Sequence, residues 1–328
     1  MSGAPGRLGL VLLVGLALGW GVNWPLMKLA LDEIPPWTFR GVTGMAALLA
    51  CLAFAYLTRR PLAMPRREWP AIFGAAMLNY TIWQICVTFG LTMMGSGQAA
   101  LLTYTMPLWA AILGAIVFKE RLGARRVLGL ALGLSGVFAL LSEDPAALGV
   151  APEGALLITL GAITWAAGTI LLKRVRWTAS VFALTSWQVI LGAPPIFAVA
   201  LITEGLPIAG ASPLALFGVG YTVVIGFMFG FYAWTKIVSL YPATVAAIGS
   251  LAVPIVGVAS GALMLGERFG WREAAAVVLI TAGLLLVLLF PGRGRARGHP
   301  AAAVAALTER SAASGHEAHR PAPPAARG

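Results

Sequence analysis

Ala99–Arg121 reads AALLTYTMPLWAAILGAIVFKER, and Ala246–Arg268 reads AAIGSLAVPIVGVASGALMLGER. Each stretch opens on paired alanines, carries a proline inside an apolar run and a glycine seven residues later, and ends in Glu-Arg. Pro107 and Pro254, Gly114 and Gly261, and Glu120 and Glu267 are all separated by 147 positions. Upstream, Trp20 with Lys28 is echoed by Trp165 with Lys173, at an offset of 145. An internal repeat of about half the chain constrains the architecture more than any single motif does.

Composition supplies the solvent. Of 328 residues, 59% are hydrophobic and 11% charged, with a mean hydropathy of +0.86. A soluble domain carries about 25% charged residues. This much apolar surface calls for lipid. The net charge of +11 is not a nucleic-acid footprint, because Lys and Arg lie at the ends of apolar runs rather than in stripes between stacking aromatics. Cys51 and Cys86 both lie inside apolar runs, which disfavours a disulfide framework or a metal site. No cofactor or metal is expected. The first apolar run continues through Trp20, Asn23, Trp24 and Pro25, so it reads as a retained helix and not as a cleaved leader.

A spanning helix needs about 20 mostly apolar residues. Ten segments qualify: 8–31, 36–58, 69–91, 96–118, 125–142, 154–173, 179–202, 212–237, 243–265 and 271–290. Most Lys and Arg fall on one side, including Arg59, Arg60, Arg66, Arg67, Lys119, Arg121, Lys173, Arg174 and Arg176. Lys28, Arg40, Arg268 and Arg272 fall on the other. The positive-inside rule then puts both termini in the cytoplasm. Segments one to five (residues 1–148) pair with six to ten (149–291), and residues 292–328 read as a disordered cytoplasmic tail. A unit with an odd number of spans enters the membrane from opposite sides in its two copies. The expected fold is therefore an all-α integral membrane protein of ten transmembrane helices, arranged as two inverted five-helix repeats. Such repeats are typical of secondary transporters, whose site lies near the midplane between the halves.

The chain resembles the EamA family of the drug/metabolite transporter superfamily over about residues 8–290. The resemblance rests on Trp20-Gly21-Val22-Asn23-Trp24-Pro25 with Lys28, Pro35-Pro36, Phe39-Arg40, and Pro107 followed by Glu120-Arg121, with Pro254 and Glu267-Arg268 as the second copy. It implies transport of small metabolites across a bacterial inner membrane, often the export of amino acids or drugs. The second copy has Ala167-Gly168 where the first has Val22-Asn23, so no polar role at Asn23 carries across.

Within the segments, the candidate substrate-binding residues are Trp20, Asn23 and Trp24, which share a helix face with Met27, together with Tyr80, Gln84, Tyr104, Trp165, Thr169, Tyr232 and Ser250. Amide and hydroxyl groups facing lipid would be left unsatisfied, so these point inward, either to bond neighbouring helices or to bind a ligand. Aromatic walls with a few amides suit an amino acid or related zwitterion. A multidrug or lipid-precursor exporter is the alternative. Lys28 and Arg40 are the candidate functional charges inside the segments; they either snorkel to the interface or line a vestibule for a substrate carboxylate. Pro107 and Pro254 are candidate gating positions, because proline kinks a helix. All three histidines lie in the tail, and no carboxylate falls near the centre of any segment. A membrane-embedded enzyme needs an acid–base pair, metal cluster or activated nucleophile, and none stands out. The expected partners are a small-molecule substrate and membrane lipid; the oligomeric state is not legible.

Overall fold

The computed structural model describes residues 7–119, 122–141, 152–240, 250–268 and 270–289. Glu120-Arg121, the start of the ninth segment and the tail lie outside the described residues. The described chain is helical, and no strand occurs in it. Seven helical runs are long and apolar enough to cross a membrane.

The first two segments are single helices, α1 (Arg7–Leu31) and α2 (Pro36–Leu57). Pro36 opens α2 at the one position where a helix loses nothing to a missing N–H. The third segment is composite: α3 (Trp69–Ala76), a π-helical stretch over Met77–Ile82, and α4 (Trp83–Thr92). The eighth repeats that plan with α10 (Pro213–Tyr221), a π-helical stretch over Thr222–Phe229, and α11 (Gly230–Leu240). The two π stretches start 145 positions apart, at Met77 and Thr222. A π turn rotates every following side chain relative to the α pattern and is a frequent mark of a functional site.

The fourth segment is two helices, α5 (Ser96–Thr103) and α6 (Met106–Phe118). Its counterpart ends in α12 (Ala252–Leu265). Pro107 and Pro254 therefore stand in the first turns of new helices. The expected kink is a full break before Pro107, with Tyr104 and Thr105 turning the chain. Lys119 and Gly266, again 147 positions apart, end these helices in the left-handed conformation at φ 53 and 65. Glycine adopts it freely, whereas lysine bears a modest strain.

The remaining helices are α7 (Ala124–Leu141), α8 (Pro152–Arg174), α9 (Val181–Thr203) and α13 (Trp271–Leu289). Ser180 and Ser212 cap α9 and α10 by accepting from Ala183 N and Ala215 N. α7 packs on α13, α2 on α9, and α5 on α12. α1 packs on α12 and on all three parts of the eighth segment; α8 packs on α6 and on all three parts of the third. This pairing maps onto itself when segments one to five are exchanged with six to ten.

Glycine sets the closest contact. A Cβ on Gly283 would meet Gly129 O at 2.5 Å and Gly133 N at 2.6 Å, so α7 and α13 touch backbone to backbone. Gly129 and Gly133, four residues apart on α7, form a GxxxG packing seam, as small residues in lipid allow.

Candidate functional site

A chain of polar contacts crosses the interior where the halves meet. Thr222, at the start of the second π stretch, donates its hydroxyl to Asn23 Oδ1 at 2.9 Å. Asn23 Nδ2 donates to the Met27 sulfur at 2.9 Å, and Arg40 Nη2 reaches the same sulfur at 3.9 Å. Arg40 Nε donates to Thr88 Oγ1 at 2.6 Å, and that hydroxyl donates onward to Gln84 O at 2.6 Å. α1, α2, α4 and the second π stretch are thereby joined. Phe39 lies beneath the guanidinium, 5.3 Å from ring centroid to Cζ.

Arg40 is 4% exposed and does not snorkel. Among the described residues, no carboxylate lies within ion-pairing distance of it. Hydroxyl, thioether and ring contacts engage only part of a five-donor fork. A buried cation without a counter-ion is costly, so this position points to an anion supplied by something else. Tyr80 is 6% exposed and lies near Arg40, Gln84 and Cys51; its hydroxyl approaches Gln84 without a well-aligned hydrogen bond. Its ring leans on Phe227 at 6.4 Å, which brings the second half to the same place.

The other expected residues distribute unevenly. Trp20 donates to Gly226 O at 3.0 Å and stacks on Trp234 at 6.3 Å, so it packs α1 against the eighth segment. Trp24 is buried against Gly257 of α12. Thr169 spends its hydroxyl on Trp165 O in its own helix, and Trp165 is half-buried. Tyr104 caps α5 at the helix break, and Ser250 precedes α12. Tyr232 is 57% exposed and stands apart from the Arg40 cluster. The Lys28 ammonium caps the end of α4, donating to Leu91 O at 2.8 Å and Thr92 O at 3.1 Å, as a cation at a helix C-terminus should.

Residue types alone did not reveal two further features. The first is a set of carboxylates that clasp helix N-termini across the halves. Glu33 accepts from Ser212 N and Oγ, Glu204 from Trp37 N, Thr38 N and Thr38 Oγ1, and Glu267 from Ser96 N and Gly97 N. Glu68 likewise accepts from Thr178 N, Thr178 Oγ1 and Ala179 N. Helix N-termini favour such anions through free N–H groups and the dipole. Hydrogen bonds from Ser212 hold the Glu33 carboxyl below its ordinary pKa.

The second is a reciprocal exchange. Asn23 faces Gly226, while Gly168 faces Asn79. Position 23 corresponds to 168 at an offset of 145, and 79 to 226 at 147. The missing polar residue at Gly168 is thus replaced from the opposite helix. Asn79 bonds Gln188 Oε1 at 3.1 Å. Glu33 with Ser212 and Thr178 with Glu68 are exchanged in a similar way, at offsets of 145 from 33 to 178 and 144 from 68 to 212. The signal was present in the 144–147 spacing, but it appears only when helix partners are known.

Known proteins resemble this chain. The EamA-like transporter family matches residues 7–142 and 152–289, one copy per half. The chain belongs to the EamA-like transporter family. Among the relatives of this EamA-like chain is a "probable amino-acid metabolite efflux pump" of Salmonella typhimurium, 28% identical, covering 87% of this chain and 95% of its own length. The Escherichia coli protein of the same name is also 28% identical over 87% of this chain and 95% of its own. An uncharacterized transporter, YoaV of Bacillus subtilis, is 22% identical over 84% and 94%. A solved crystal structure, 19% identical, superposes with a TM-score of 0.59 over 86% of this chain and 96% of its own, a likeness of fold alone. Family and relatives indicate a membrane transporter rather than an enzyme.

Proposed function

We propose that this EamA-like protein is a secondary transporter that exports amino acids and related small carboxylates across a bacterial inner membrane by alternating access. The substrate carboxylate docks on Arg40. Its two halves are inverted repeats making ten crossings, with both termini in the cytoplasm. The exchangeable packing pattern, the paired π stretches and the reciprocal Asn–Gly contacts support the duplication. The excess of Lys and Arg on one side supports the orientation. The efflux-pump names of two relatives support the substrate class.

One observation carries the reading. Arg40 is buried and free of a described carboxylate, and Met27 and Asn23 connect it to Thr222 of the other half. Ionisable groups kept inside a membrane protein mark substrate or ion paths, and a guanidinium matches a carboxylate bidentately. Around it, Tyr80, Gln84 and Asn23 supply the neutral polar groups expected of a small-molecule site.

The test is flux in proteoliposomes. Arg40→Met removes the charge but keeps the length, and should abolish amino-acid counterflow while the protein still unfolds cooperatively. Unimpaired counterflow would overturn the assignment.

A further inference from the structure

We infer that the Arg40 site selects monoanions, amino-acid derivatives with a masked amine such as N-acyl amino acids, over free zwitterionic amino acids. The inference rests on the carboxylate reading of Arg40 given above, and it concerns what happens at the other end of the ligand.

The chain has 12 Asp and Glu. Among the described residues, five of them are committed elsewhere: Glu33 to Ser212, Glu68 to Thr178, Glu204 to Thr38, Glu267 to Ser96 and Gly97, and Glu273 to Gln98 and Gly270. Asp32 and Glu153 are exposed at helix ends. Glu120, Glu143 and Asp144 lie outside the described residues, between the apolar segments, and Glu309 and Glu317 belong to the tail. The buried Glu68 and Glu273 are thus held by other groups, and no described carboxylate beside Arg40 remains to balance a second positive charge.

A bound carboxylate neutralises Arg40. A zwitterion would bring an ammonium with it, an α-carbon away from the guanidinium, where like charges repel and water no longer screens them. Apart from the Gln84 side chain and the Tyr80 hydroxyl, which are neutral, the acceptors there are weak or already engaged. The Met27 sulfur takes Asn23 and Arg40, Asn23 Oδ1 takes Thr222, and the Thr88 proton goes to Gln84 O. Burying an ammonium against neutral acceptors costs far more than burying an amide N–H. The N–H of an acylated amine needs one neutral acceptor, which the Gln84 side chain can supply. The acyl group would meet Met27 and the Tyr80–Phe227 pair, which present thioether and ring surface.

Thermal unfolding of the purified full chain in lipid nanodiscs tests this with three probes: N-acetyl-L-leucine, L-leucine and L-leucinamide. The dependence of Tm on probe concentration gives relative affinities, because a ligand stabilises the state it binds. N-acetyl-L-leucine should bind at least about tenfold more tightly than L-leucine, and L-leucinamide should give no shift. L-leucine binding as tightly as its acetyl derivative, with L-leucinamide inert, would overturn the inference and leave the carboxylate reading standing. L-leucinamide equal to L-leucine, or no shift from any probe at millimolar concentration, would overturn both.

Discussion

Gly168→Ala is the change whose cost follows most directly from the reciprocal Asn–Gly contacts. An alanine Cβ at 168 would overlap Asn79 Oδ1, stand 2.6 Å from its Cγ and 3.1 Å from Leu78 Cβ. Asn79 has little room to retreat, because its amide is bonded to Gln188 at 3.1 Å. Overpacking costs about 1–3 kcal/mol, and loss of the amide bond adds about 1 kcal/mol. The better helix propensity of alanine returns up to about 1 kcal/mol. The net expectation is destabilisation by about 1–3 kcal/mol. Gly226→Ala is the control, since its Cβ meets the Asn23 amide at 3.5 Å, an ordinary contact; it should range from neutral to stabilising by up to about 1 kcal/mol. Unfolding in mixed micelles, followed by tryptophan fluorescence, measures both. Adding Asn79→Ala to Gly168→Ala should leave a protein no less stable than Asn79→Ala alone, because the clash has gone. A Gly168→Ala protein as stable as Gly226→Ala, or one that Asn79→Ala fails to relieve, would refute the reasoning.

Gly283→Ala should destabilise the α7–α13 pair by about 1–3 kcal/mol, because the atoms it meets are backbone and cannot swing aside; the same unfolding titration reads it. Lys28→Met should lower Tm while leaving the relative affinities of the leucine probes unchanged, since Lys28 caps α4 and does not join the Arg40 cluster. Glu33 has a lowered pKa in the folded protein, so its bonds to Ser212 persist above the ordinary glutamate value and are lost as pH falls through the lowered one. Carbon-13 NMR of the Glu33 carboxyl should therefore titrate below about 4.3, and a midpoint at or above that value would contradict the clasp.

The duplication and the helical segments were legible because hydrophobic length and a fixed offset survive in one dimension. The burial of Arg40 was not. A cation near a helix end reads as a snorkelling side chain until the helices around it are placed, here with Met27 of α1, Thr88 of α4 and Tyr80 of the first π stretch beside it. The π stretches were hidden as well: the apolar run 212–237 carries no mark of a changed hydrogen-bond register. Gly168 looked like decay of the Asn23 motif because a sequence shows each helix without its partner. Tyr232 and Trp165 were chosen by residue type, and type does not say which way a side chain faces. Lys28 illustrates the same limit, since its partners are carbonyls that every residue possesses.

The proposed function rests on an opposed orientation of the two halves. It is tested most directly by labelling single cysteines from one side of the membrane, with Cys51 and Cys86 replaced by alanine. Asp32→Cys and Arg176→Cys place thiols at exposed positions in the corresponding turns, after the first and the sixth segments. A membrane-impermeant maleimide added to intact cells should label Asp32→Cys at once and Arg176→Cys only after permeabilisation. Labelling of both from the same side would contradict the account.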